Sequence, residues 1–259
     1  MNAIRRGFVT QVGMGYEEAF EHAEAFGLDY VEVMMDGTHE RTALADETDR
    51  VLALADERGL DLAVHLPFRL DIASPFEHVR EGALRELLAA IETAIECGAE
   101  KGVVHASTDA WPPAWENDSL HGNLFSSIRD LDAFGRDRDF ELCVENVAGD
   151  FFPAASFPRL FDETDASMTF DTGHARMNGM DSAAMAEFLD EHGDRVGHLH
   201  LNDTRMPKDE HLPFGAGTID FDRLFEPLRD GWTGTLSLEA FTDDWGYIET
   251  SVDRLDDLL

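Results

Sequence analysis

The chain has 259 residues, 43% hydrophobic and 10% aromatic, and a formal net charge of −34 from 54 acidic and 20 basic side chains. That apolar content excludes a disordered polymer, and no apolar run approaches the roughly 20 residues needed to cross a bilayer. The acidic excess weighs against a nucleic-acid partner, because phosphate binding needs a basic footprint. Arg dominates the cations, Lys101 and Lys208 being the only lysines. Carboxylates spread over every amphipathic stretch predict a halophilic surface, on which salt screens self-repulsion.

Met1 to Arg6 lead straight into a strand-like Gly7-Phe8-Val9-Thr10-Gln11, without an h-region or cleavage site, so a cytoplasmic protein is expected. Further strands are predicted over 30–35, 62–66, 101–106, 141–145, 167–171, 196–201 and 235–240. Amphipathic stretches alternate with them. In Tyr16 to Phe26, Ala19, Phe20, Ala23 and Phe26 share one face; in Pro75 to Cys97 the stripe is Leu84, Leu87, Leu88, Ile91, Ala94 and Ile95. Gly27, Gly59 and Gly98 punctuate helix-to-strand turns. Eight βα units predict an α/β fold, a (β/α)8 TIM barrel forming one domain over 1–259. No GxGxxG follows the first strand, and no organic cofactor is expected.

A parallel barrel gathers the carboxyl ends of its strands at one rim. The predicted strands end in His65, His105, Glu145, Asp171, His200 and Glu239, with His174 just beyond Asp171. Glu145, Asp171, His200 and Glu239 together make an oxygen-rich site for Mn²⁺, Mg²⁺, Co²⁺ or Zn²⁺. Three clustered carboxylates would otherwise repel one another. His65, His105, His174 and the Asp209/His211 pair could extend the site to further ions; His65, His105 and His174 could instead contact substrate. His198, two residues before His200, should lie deeper on the same side of its strand. His22, His39, His78, His121 and His192 have polar neighbours and are expected to be solvated.

Two long segments, 108–119 and 202–220, are candidate substrate walls. Trp111 and Trp115 in the first either face substrate or plug an apolar gap. Gly215-Ala216-Gly217 in the second reads as a tight turn, a lone GxG being weak support for a phosphate cradle. Cys97 and Cys143 lack CxxC spacing and read as buried thiols. No G-x-S-x-G occurs.

His65-Leu66-Pro67, Val144-Glu145-Asn146, Phe170-Asp171-Thr172-Gly173-His174, His200-Leu201-Asn202-Asp203 and the run from Asp209 to Asp220 resemble the xylose-isomerase-like barrel superfamily. That group holds sugar and sugar-phosphate isomerases and epimerases together with the type IV apurinic endonucleases. Resemblance to the epimerases implies metal ligands at Glu145, Asp171, His200 and Glu239, with Glu145 and Glu239 also acid and base, and a substrate-binding Arg near Arg205. Resemblance to the endonucleases implies three zinc ions on His65, His105, Glu145, Asp171, His174, His200, Asp209, His211 and Glu239. All nine residue types are present.

The expected function is a divalent-metal-dependent isomerase or epimerase, acting on a small sugar or sugar phosphate through an enediolate. Glu145 and Glu239 would move the proton, and His65, His105, His174, Arg205 and Trp111 would contact the sugar. Phosphodiester cleavage at abasic sites is the alternative, and a non-catalytic sugar-binding barrel the third reading. No membrane partner is expected; the oligomeric state is open.

Overall fold

The computed structural model describes residues 4–205, 208–228 and 231–259. Residues 1–3 of the predicted leaderless start and 206–207 of the second long segment lie outside the described residues. Eight parallel strands close into a barrel in chain order: β1 Arg5–Val9, β2 Tyr30–Met34, β3 Asp61–His65, β4 Lys101–His105, β5 Glu141–Glu145, β6 Ser167–Asp171, β7 Val196–Leu201 and β8 Thr235–Leu238. Around them lie α1 Tyr16–Ala25, α2 Arg41–Asp46, α3 Thr48–Arg58, α4 Glu77–Glu96, α5 Asn117–Arg136, α6 Phe157–Glu163, α7 Thr172–Met177, α8 Ser182–His192, α9 Phe221–Phe225 and α10 Trp245–Leu258. This is the predicted (β/α)8 barrel. Among the described residues no helix is long and apolar enough to cross a membrane.

Alternation along each strand sorts the two faces of the sheet. Val31, Val33, Leu62, Val64, Leu142, Val144, Phe170, Leu199 and Leu236 form one apolar core with helix residues such as Phe20, Leu87, Ile91, Ile128 and Leu224. Each such side chain contributes about 1.5–3 kcal/mol by burial. The intervening positions hold Tyr30, Glu32, His198, His200, Thr235 and Ser237, whose side chains hydrogen-bond to one another across the barrel. The barrel interior is therefore polar. A Cβ at Gly7 would run into the Tyr30 ring, so β1 passes this aromatic only because the position carries no side chain.

β1 starts two residues earlier than its apolar pattern predicts. Arg5 and Arg6 join the ladder opposite Thr235 and Leu236 while their guanidinium groups reach Asp61 and Asp29. α4 buries Leu87, Ala90, Ile91 and Ala94 and stops before Gly98, whose φ of +86° suits glycine. Cys97 and Cys143 are buried free thiols, as expected.

Two histidines depart from the expectation of solvation. His39 is buried beneath the Tyr16 ring, with centroids 4.5 Å apart. His121 is buried too, its ring lying 3.0 Å from the Phe151 carbonyl and 3.0 Å from the Arg159 guanidinium. Polar neighbours in sequence did not reveal the aromatic groups that cover them in space.

Candidate active site

Barrel closure pairs His105 with Glu145 and Asp171 with His200 in adjacent strands. Glu145, Asp171, His200 and Glu239 are all buried, and one ligand atom from each lies within 4.8 Å of the others. Four further groups meet the same limit: His65 with His105 and Glu145, His174 with Asp209 and His211, His65 with His200 and Glu239, and, deeper in the barrel, Glu32 with His198 and His200. All nine predicted positions thus converge, with Glu145 common to two groups.

Hydrogen bonds fix which nitrogen each imidazole offers. His65 Nδ1 donates to the Leu66 carbonyl at 3.0 Å, leaving Nε2 facing Glu145 Oε2 at 3.4 Å. His211 Nδ1 donates to the Glu239 carbonyl at 3.1 Å and turns Nε2 to Asp209, also at 3.1 Å. His174 places Nδ1 3.1 Å from the Asn146 carbonyl and Nε2 3.3 Å from Asp209. His200 is held from below, Nε2 lying 3.0 Å from Glu32, so Nδ1 faces Glu239 at 3.3 Å and Glu145 at 3.5 Å. His105 Nε2 lies 3.1 Å from both His65 Nε2 and Glu145 Oε2. His211 sits at φ +43°, a costly conformation for a non-glycine residue, and its ring stacks on Phe241 at 4.4 Å.

The electrostatics follow from this crowding of buried groups. Burial alone would raise Glu145, but the imidazoles of His105 and His200 hold it well below the usual carboxylate range. Burial pushes Asp171 up to about 7, and the charges of Glu239 and Glu145 push the same way. Burial lowers His200, yet Glu32, Glu239 and Glu145 carry it well above the usual imidazole value. His211, opposed by burial, is raised to about 9 by Asp209 and Glu239.

Glu145 Oε2, Glu239 Oε2 and His200 Nδ1 are buried without a hydrogen bond. Such atoms normally find a well-aligned partner; here each faces only other members of the cluster, Glu145 Oε2 at 3.1 Å from His105 Nε2 and Glu239 Oε2 at 3.3 Å from His200 Nδ1. A divalent cation would satisfy all three, so these residues fit the metal that the donor set suggests.

The segments that carry the resemblance also knit the rim together. Asn146 donates to the Asp171 carbonyl at 3.0 Å and accepts the Asp171 N–H at 2.9 Å. Asp171 caps α7 by accepting the His174 N–H, and accepts Asn202 Nδ2 at 2.7 Å. A Cβ at Gly173 would collide with Asn202 Oδ1, so any larger residue would displace the Asn202 side chain that donates to Asp171. Gly215 and Gly217 donate backbone N–H groups to the Asp203 carboxylate at 3.1 and 2.8 Å, and Ile219 donates at 3.0 Å. The loop is thus more than the bare turn expected: it wraps an internal carboxylate.

Sequence reasoning missed Glu32, a lone carboxylate in the apolar β2. Its two oxygens lie 3.1 Å from His198 and 3.0 Å from His200, so His198 occupies the deeper supporting position predicted for it. The signal was there, since Tyr30 and Glu32 share the inward period.

Beside the cluster lies a cavity of about 290 Å³ lined by Phe68, Arg69, Asp71, His105, His174 and Asp209 among others. Of the expected substrate contacts, Trp111 is 70% exposed and Arg205 pairs with Glu210 at 2.6 Å; neither lines this cavity. Trp115 packs edge-on against Phe76 instead of facing the site.

Residues 20–258 match the family described as xylose isomerase-like TIM barrel. The chain belongs to this family. Among solved relatives, a D-tagatose 3-epimerase-like protein superposes with a TM-score of 0.84 at 26% identity, covering 98% of this chain and 97% of that one. The TTHB071 protein from Thermus thermophilus, soaked with ZnCl2, gives 0.76 at 27% identity over 100% and 98% of the two chains. A probable endonuclease 4 of Mycobacterium leprae is 27% identical over 220 residues, 80% of this chain and 83% of the relative. Relatives with sugar-epimerase and endonuclease names thus both align over most of this chain.

Proposed function

We infer that the protein is a divalent-metal-dependent isomerase or epimerase of a small sugar or sugar phosphate. One observation carries the reading: Glu145 from β5 and Glu239 from the end of β8 both approach His200 Nδ1, at 3.5 and 3.3 Å, so two carboxylates face one point from different walls. Glu145, Asp171, His200 and Glu239 would hold the ion, which would supply Lewis acidity toward adjoining carbonyl and hydroxyl oxygens. One glutamate removes the proton from the neighbouring carbon and the other returns it. His105 and His174, on the cavity wall, orient the sugar hydroxyls. The 290 Å³ cavity suits a small molecule, and the net charge of −34 disfavours a DNA duplex. Likeness to the D-tagatose 3-epimerase-like protein supports the same class.

Three of the five ligand groups, two sharing Glu145 and the third reaching it through His174 at 3.2 Å, favour a second reading, phosphodiester hydrolysis, and the endonuclease 4 relative supports it. The two are separated by incubating the Mn²⁺- or Zn²⁺-loaded protein, in high salt, with a ketose panel in deuterated water and with an abasic duplex. Solvent deuterium should enter a sugar carbon, and Glu239→Gln should slow that exchange by about 10²–10⁴. Strand cleavage without sugar exchange would replace the first reading with the second.

A further inference from the structure

We propose that Arg69 is an anion anchor on the wall of the substrate cavity, and that the preferred substrate carries a phosphate or carboxylate group remote from its reacting carbon. This rests on the sugar reading and narrows its substrate class.

Arg69 is the only Arg or Lys among the described residues that line this cavity. Its guanidinium lies over the Phe68 ring at 5.5 Å, and among the described residues it has no hydrogen bond or carboxylate partner. Arg5, Arg6, Arg41, Arg50, Arg58, Arg129, Arg136, Arg159 and Arg205 each carry at least one carboxylate, and Arg80, Arg138, Arg176, Arg195 and Arg254 donate to backbone or hydroxyl oxygens. Among the described arginines Arg69 shares the lack of a side-chain partner with Arg85 and Arg223, and of these three it alone lines the cavity. The cation is nevertheless positioned. Phe68 stands 5.8 Å from the His105 ring and 6.5 Å from the His65 ring, and its backbone N–H donates to Asp36 at 3.2 Å. Stacking thus ties the guanidinium to the metal-ligand wall while its donors stay open.

A planar guanidinium with free N–H groups pairs two-pronged with phosphate or carboxylate. The same wall carries Asp71, Asp109 and Asp209, and none of them pairs with Arg69. Asp209 is committed to His174 and His211. Asp71 also lines the cavity, its one unpaired oxygen buried away from solvent. The wall therefore offers one cationic site for an anion beside the rim that holds the reacting end.

The test is equilibrium binding to the Mn²⁺-loaded full chain at fixed ionic strength, using a panel of ketoses, each paired with its terminal phosphate ester. Wild type should bind at least one ester on the order of tenfold or more tighter than its parent sugar. Arg69→Met should bring that ratio near one without changing Mn²⁺ affinity or binding of the neutral sugar, and Arg69→Lys should keep part of the preference. A preference that survives Arg69→Met, or neutral sugars bound as tightly as their esters by wild type, overturns the anchor while leaving the sugar reading intact. No binding of any sugar or ester removes the sugar reading and the anchor with it.

Discussion

The two ends of the barrel interior both bury charge, but they treat it differently. At the amino-terminal floor, the Lys101 ammonium donates to the Gly197 carbonyl at 2.6 Å and Thr235 Oγ1 at 2.9 Å, and pairs with Glu141 at 3.1 Å; Ser167 donates to Glu141 at 2.7 Å. At the carboxyl rim, Glu145, His200 and Glu239 keep buried atoms with no hydrogen bond. The larger cavity, about 830 Å³, opens at the floor; the one beside the rim cluster measures about 290 Å³. Volume therefore points the wrong way. What marks the reactive end is convergent polar groups left unsatisfied, a cost that a structural network avoids and a binding site recovers when its ligand arrives.

The first way to sharpen this contrast is Glu32→Gln, since Glu32 links the two regimes by orienting His200. Loss of a supporting partner of this kind typically weakens metal binding about 10–100-fold. We expect that loss in a Mn²⁺ titration with the circular dichroism of the barrel unchanged; unaltered affinity would mean that His200 is oriented by something other than Glu32.

Lys101→Met should do the reverse. It strips the floor of its cation, leaves Thr235 and the Gly197 carbonyl short of a donor, and should cost about 1–3 kcal/mol of folding stability. Denaturant melts would show this, while Mn²⁺ stoichiometry stays as in wild type. A floor variant that emptied the metal site would break the division of roles.

The smallest expected effect is on pH. Burial raises Glu141, but Lys101 and Ser167 bring it below the ordinary glutamate value. A carboxylate with a depressed folded value contributes stability above its unfolded value of about 4.5 and loses that contribution as pH falls through the folded value. Acid melts of wild type should therefore steepen below about pH 4.5 relative to Lys101→Met. Glu141 is partly exposed, so the difference should be modest. Identical acid profiles would show that the floor pair adds nothing.

Much of this protein can be read from the chain alone. The period-two apolar runs fix eight strands, because a strand buried on both faces needs apolar residues outward and tolerates only paired polar ones inward. Their endings in His, Glu or Asp expose the rim set, because parallel strands place all carboxyl ends together. Only the tertiary structure decided the rest. Glu32 meets His200 across 168 positions of sequence. Asp203 gathers the N–H groups of a loop up to 16 residues away. Arg205 pairs with Glu210 while Arg69 stays open on Phe68. These outcomes depend on which partners closure brings within hydrogen-bond range, a distance that local pattern does not encode.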